Sequence, residues 1–294
     1  MTEKEMRNPN TEQPKPPYPK QEQQPPGQES QMRPLPDFGE ESYKGSARLQ
    51  GRVAVITGGD SGIGRAVALA YAREGADVLI AYLNEHQDAQ ETARVVSEAG
   101  RRAVTLSGDI SDIQHCRTIV ERAVQEFGRI DVLVNNAAFQ RTHESIDQIP
   151  ADEFEYTFRT NVFAMFYLCQ LALPHMKPGA AIINTTSIQA YQPSPELLAY
   201  AATKGAIVNF TKGLAQLAIK QGVRVNAVAP GPIWTPLIPS TMPTEKTTQF
   251  GKDTPMGRAG QPAELAPVFV FLASQDSSYI VGEVIGVTGG ELLP

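Results

Sequence analysis

Two residues four apart, in Tyr200-Ala201-Ala202-Thr203-Lys204, put a phenol and an ammonium on one helix face about one turn from each other. A free phenol ionises near pH ~10, and a neighbouring positive charge favours the phenolate, moving it toward proton transfer at neutral pH. Tyr200 would then be a general acid for carbonyl reduction and a general base for the reverse. Y-x-x-x-K is also an ordinary spacing on solvated helix faces, so the pair needs company. Ser187, thirteen residues before Tyr200, follows a strand at the carboxyl end of the sheet, where doubly wound folds bind ligands. Its hydroxyl would donate to a substrate oxygen. Its surroundings, Thr185-Thr186-Ser187-Ile188-Gln189, lack the G-x-S-x-G elbow of a serine nucleophile.

A second group is built for an anion. Thr57-Gly58-Gly59-Asp60-Ser61-Gly62-Ile63-Gly64 closes a strand and leads into the helical pattern Ala66, Leu69, Ala70, Ala72. Glycines at 58, 62 and 64 suit a tight turn, close backbone approach to a pyrophosphate and close helix-to-strand packing, with free N–H groups facing the anion. A glycine turn also serves merely to connect a strand to a helix; the T-G-x-x-x-G-x-G spacing in this context favours a dinucleotide.

The elements that must hold these groups alternate as β-α-β units, which predicts an α/β, Rossmann-type doubly wound fold with a seven-stranded parallel sheet and helices on both faces. Strands are expected at Val53–Thr57, Asp77–Tyr82, Ala103–Ser107, Val132–Asn135, Ala181–Thr185, Val223–Val228 and Val284–Val287. Helices are expected at Gly62–Glu74, Gln87–Ala99, Ile113–Phe127, Ala151–His175, Ala199–Lys220 and Pro262–Ala273. This single catalytic domain would span 45–294. Residues 1–44 hold nine of the 23 prolines, six glutamines and almost no branched aliphatics, so they read as a mostly disordered or extended arm. Its apolar residues Met32, Leu35, Phe38 and Tyr43 could pack along the domain, whereas residues 1–30 show nothing comparable.

A net charge of −6 leaves no broad basic surface for a nucleic-acid backbone. The longest apolar run, Val162–Cys169, is eight residues, far short of a membrane span, and the first residues lack the apolar core of a secretory signal. Two distant cysteines, Cys116 and Cys169, fit a reducing, cytoplasmic setting and read as packing thiols. His86, His115, His143 and His175 show no metal-ligand spacing, and no metal is expected. Trp234 and Met242 fall in a segment expected to form a lid, with substrate contact and simple packing equally open.

The whole of 50–294 resembles the short-chain dehydrogenase/reductase family, whose motifs occur here in order. Gly108-Asp109-Ile110 resembles its adenine-contacting turn, and Asn135-Asn136-Ala137-Ala138 its N-N-A-G motif with alanine in the last place. Pro230-Gly231-Pro232 resembles its turn beside the nicotinamide, and Arg258-Ala259-Gly260-Gln261-Pro262-Ala263-Glu264 its R-x-G-x-P-x-E helix start. The resemblance implies NADP or NAD as cofactor, a catalytic set of Asn161, Ser187, Tyr200 and Lys204, and a ribose contact from Lys204. It further implies cofactor contacts from the glycine turn with Thr57, from Tyr82, Asp109, Ile110, Asn136 and Ala137, and from Pro230, Gly231 and Ile233. The arm and Ser187–Pro195 are similar to a bacterial subgroup of stress-associated aldehyde reductases, which implies a small carbonyl or alcohol substrate. A homotetramer built through Ala151–His175 and Ala199–Lys220 is also implied. A dinucleotide-binding regulator without turnover would carry a broken Ser/Tyr/Lys set, and a methyltransferase would carry neither motif. Ala81-Tyr82-Leu83-Asn84 places no acid where NAD-specific sites hold one, which gives a modest lean to NADP, with Glu85 just beyond.

Overall fold

The computed structural model describes residues 8–293. Seven strands, β1 (Val53–Thr57), β2 (Asp77–Tyr82), β3 (Ala103–Ser107), β4 (Ile130–Asn135), β5 (Met176–Thr185), β6 (Arg224–Pro230) and β7 (Val284–Val287), form one parallel sheet in the order β3-β2-β1-β4-β5-β6-β7. The order reverses between β1 and β4, and this opens a crevice at their carboxyl ends. The central strands are buried on both faces, as parallel strands between helices must be.

Alternation along β1 shows the two layers. Ala54 and Ile56 face one core with α1 (Gly62–Arg73), α9 (Pro262–Ala273) and Val96 of α2 (His86–Glu98). Val55 faces the other core with α3 (Ile113–Phe127), α5 (Ala164–Ala172) and α6 (Leu198–Ala218). Cys116 and Cys169 are buried in that second core as free thiols.

The helix expected over Ala151–His175 is helical throughout but not uniformly α. After α4 (Ala151–Phe158) it widens into a π-helical turn at Arg159–Phe163, continues as α5 and ends in a 3-10 turn at Leu173–His175. An extra residue in one turn rotates the side chains that follow, which apolar periodicity alone does not reveal. Asn161 lies in that turn. After β6 come two short helices, α7 (Leu237–Thr241) and α8 (Thr244–Thr248).

Of the arm expected at 1–44 as mostly disordered or extended, the extended alternative describes residues 8–44, while the expectation that 1–30 offers nothing to dock with does not hold for residues 8–30; residues 1–7 lie outside the described residues. The arm is extended, but it lies against the domain. Tyr18 and Met32 are buried and pack with Trp234 and Ile238. Composition counted the arm's own apolar residues, whereas its anchors are few and bind a surface that the domain already supplies. Where the arm meets the domain, the fully buried Glu74 at the end of α1 accepts from Tyr43 Oη (2.6 Å), the Ser46 N–H (2.8 Å), the Arg48 N–H (3.0 Å) and Arg48 Nη2 (2.7 Å). Against the push of burial, these four donors hold its carboxyl down at about 2.

Candidate active site

The glycine turn is a cradle that side chains would fill. A Cβ on Gly64 would sit 1.9 Å from Gly58 O, and one on Gly62, whose φ is +51°, would meet Thr235 Cγ2 at 2.9 Å. Only glycine lets α1 start this close to β1. The turn borders a cavity of about 430 Å³, and Gly58, Asp60, Ser61, Gly62 and Ile63 all line it. So do Tyr82, Asp109, Ile110, Asn136 and Ala137 from the ends of β2, β3 and β4, and Pro230, Gly231 and Ile233 after β6. Ser187, Tyr200 and Lys204 line the same cavity.

Three expected residues stand behind the wall instead. Thr57 uses its Oγ1 to accept from the N–H groups of Asn136 (3.0 Å) and Ala137 (3.1 Å), so it holds the loop after β4. Gly64 is the packing point of α1. Asn161, 3% exposed, accepts at Oδ1 from the Phe139 N–H (2.7 Å) and donates from Nδ2 to Phe139 O (2.9 Å) and Thr203 Oγ1 (3.1 Å). The π turn thus aims Asn161 at the loop after β4 and at α6. It staples the two together.

Lys204 is 2% exposed, and its Nζ donates to Thr185 O at 2.8 Å, while Thr186 Oγ1 donates to Lys204 O at 2.8 Å. These bonds pin α6 to the end of β5 from both ends of the residue. The ammonium lies 5.1 Å from the centre of the Tyr200 ring. Burial pulls Lys204 down to about 7. Burial pushes the Tyr200 phenol up to about 12, with the Ser187 hydroxyl drawing it the other way. Tyr200 is therefore a protonated acid at neutral pH. Ser187 Oγ accepts from the Gln189 N–H at 3.2 Å, which leaves its proton free to point at a ligand.

Asp60, Glu85 and Asp109 line the cavity, and Lys204 is the only cationic side chain among the described residues that does so. Burial pushes Asp60 up to about 6, and Glu85 nearby adds to the push. Arg65 is turned away: it pairs with Glu29 (2.6 Å) and Asp88 (3.2 Å). Among the described residues no His/Cys/Asp/Glu group could hold a metal, and no helix is long and apolar enough to cross a membrane.

Some wall residues carried no sequence signal. Trp234 is fully buried under the arm and packs rather than lining the cavity, whereas Met242 lines it. Thr235, Phe139 and Tyr156 also line it, with Tyr156 Oη 3.4 Å from Asp109 Oδ2. Pro25 and Pro26 of the arm line it too.

The cradle, the crevice at the strand-order reversal and the buried lysine fit a nicotinamide dinucleotide. Residues 58–291 match a family model described as enoyl-(acyl carrier protein) reductase. The uncharacterized oxidoreductase YghA of Escherichia coli is 55% identical over 278 residues, covering 94% of this chain and 95% of its own. The NADPH-dependent aldehyde reductase 1, chloroplastic, of Arabidopsis thaliana is 48% identical over 275 residues, covering 91% and 96%. A crystal structure of a short-chain dehydrogenase from Burkholderia cenocepacia in complex with NADP superposes with a TM-score of 0.77 at 32% identity. It covers 83% of this chain and 98% of its own. With this sequence relationship, fold and cavity, the chain belongs to the short-chain dehydrogenase/reductase family and is an NAD(P)-dependent oxidoreductase.

Proposed function

We propose that this protein reduces a small aldehyde or related carbonyl to the alcohol, and runs the reverse at higher pH. The observation that carries the reading is the convergence of Ser187, Tyr200 and Lys204 on one cavity with the glycine turn. The bound nicotinamide supplies the hydride. Tyr200 gives its phenolic proton to the carbonyl oxygen, and the Ser187 hydroxyl donates a hydrogen bond to the same oxygen. Lys204, fixed by Thr185 O, presents its remaining N–H groups to the cofactor ribose and, when charged, lowers the cost of phenolate. Asn161 acts through position, holding the loop after β4 against α6.

The wall supports a carbonyl compound with an apolar body: Ile188, Leu237, Ile238, Met242 and Phe250 line the cavity, with Gln140, Gln189 and Thr241 among its polar residues. The 48% identical aldehyde reductase supports the same class. A turnover screen of aldehydes, ketones and sugars with both nicotinamides tests this. Turnover of sugars alone would overturn it.

Self-association through the long helices is part of this reading. Phe154 of α4, Phe163 of the π turn, Phe166 of α5, and Leu198 and Leu217 of α6 are each at least 40% exposed. A homotetramer would cover them. Light scattering that returns a monomer mass at working concentration would remove this part.

A further inference from the structure

The arm crosses the cleft and ties its two sides together. On the phosphate side, Glu29 is 2% exposed; its Oε2 accepts from the Gly62 N–H at 2.5 Å and its Oε1 from Arg65 Nη1 at 2.6 Å. The Glu29 N–H donates to Asp88 Oδ2 at 2.8 Å. Arg65 in turn donates from Nε to Asp60 O, the carbonyl inside the glycine turn, at 3.0 Å. On the lid side, the Gln23 N–H donates to Pro239 O (2.9 Å) and Ser240 Oγ donates to Pro26 O (3.2 Å). Gly27 presses on Pro236, where a Cβ would lie 2.7 Å from the carbonyl oxygen. Tyr18 stacks on Trp234 with ring centres 4.2 Å apart, and Trp234 Nε1 donates to Pro34 O at 2.9 Å. Between the lid contacts and the phosphate contact run Pro25 and Pro26, which line the cavity.

We propose that the arm is the outer wall of the cofactor site, and that Glu29 is a positioning residue that fixes the phosphate-binding turn through Gly62 and Arg65, so that the arm sets how tightly the dinucleotide is held. Glu29 takes up the Gly62 N–H, while Ser61 and Ile63 on either side line the cavity. By holding Arg65 against Asp60 O it also stiffens the turn from behind. A turn already in its bound shape loses less freedom when the anion arrives, and a proline pair in the wall of the same cavity narrows the way out. Two prolines suit a wall: they have no N–H to leave unpaired beside the ligand and little backbone freedom to lose.

The inference rests on the cavity taking NAD(P), and direct binding separates the two. Dissociation constants for NADH and NADPH are measured by nicotinamide fluorescence on the full chain, on Glu29→Gln, and on the double variant P25G/P26G. Emission of the chain's single tryptophan, Trp234, reports whether the arm is still docked. The expected result is at least a tenfold weaker dissociation constant in Glu29→Gln for both nucleotides, with kcat at saturating cofactor within about threefold of the parent. In P25G/P26G the release rate rises with tryptophan emission unchanged. A parent that binds neither nucleotide sinks the reading of the cavity. A parent that binds, with both variants within twofold of it, overturns the role of the arm. A lower thermal midpoint at unchanged dissociation constants makes Glu29 a structural anchor only, and overturns it equally.

Discussion

Replacing Tyr200 by phenylalanine removes one oxygen and its proton and keeps the ring that lies 5.1 Å from the Lys204 ammonium. The oxygen's one side-chain tie is to the Ser187 hydroxyl. The Lys204 ammonium is held by Thr185 O, and Ser187 also accepts from the Gln189 amide, so each partner keeps another anchor when the phenol is gone. The cost to folding is therefore within about 1 kcal/mol, the net worth of one hydrogen bond. The cost to reaction is much larger. A phenol held up at about 12 is fully protonated at pH 7, and general acid transfer from such a group is worth about 10²–10⁴ in rate, or roughly 3–5 kcal/mol of barrier. Steady-state turnover of the best aldehyde should fall by that factor, with the cofactor dissociation constant within about twofold and the thermal midpoint nearly unmoved. The parent carries a second signature. Carbonyl reduction should decline as pH rises through about 7, where Lys204 loses the charge that lowers the cost of phenolate, while alcohol oxidation, which needs the phenolate, should rise toward the phenol's pKa. Turnover within tenfold of the parent, or oxidation that is flat between pH 7 and 9, would refute the assignment of the proton to Tyr200.

Three further outcomes follow from other parts of the molecule. Glu85→Gln removes one of the three carboxylates, with Asp60 and Asp109, that line the cavity, so the ratio of kcat/KM with NADP to that with NAD should rise about tenfold, and an unchanged ratio would clear Glu85 of discrimination. Glu74, held at about 2 by its donors from Tyr43, Ser46 and Arg48, contributes stability that is fully present above its unfolded pKa and is lost as pH falls toward 2; Glu74→Gln should cost up to about 3 kcal/mol at pH 7, with the gap to the parent closing in acid denaturation below pH ~4. Deleting residues 1–30 removes Tyr18 from Trp234 and Glu29 from Arg65, so the thermal midpoint should drop and tryptophan emission shift to the red at fixed protein concentration; an unmoved midpoint would return the arm to a loose tail.

The parallel sheet was legible because buried strands such as Val53–Thr57 are unbroken apolar runs between amphipathic segments, and most expected boundaries agree with the structure to within a residue or two. The cavity was legible because its chemistry depends on residue types that few other tasks require in that order: glycines at 58, 62 and 64, and Tyr200 before Lys204. Long-range packing was less legible. Thr57 and Gly64 belong to the glycine motif yet face away from the cavity, since a motif records both contact and support. The π turn at Arg159–Phe163 left no mark in the periodicity. Glu29 looked like one more charge in a polar tail; its partners Gly62 and Arg65 are 33 and 36 residues away, and only the folded chain brings them together. Trp234 was ambiguous for the same reason, because what covers it is the stretch around Tyr18.

Those distances along the chain also bear on the order of assembly. Pro9 O accepts from Arg258, Pro34 O from Trp234, and the Tyr18 N–H donates to Thr248 O. This segment is thus made well before the partners it meets. Until those residues emerge, the arm can settle only on α1, α2 and the stretch before β1, through contacts such as Glu29 with Arg65, Gly39 O and Tyr43 O with Arg73, and Glu40 with Arg94, and closing so large a loop is favourable only once the sheet has already drawn its ends together. The arm is therefore the last piece to seat and the first to lift. An amide-exchange experiment should find residues 8–34 opening at a lower free energy than β1 or β4, as a separate unit that detaches while the sheet stays whole.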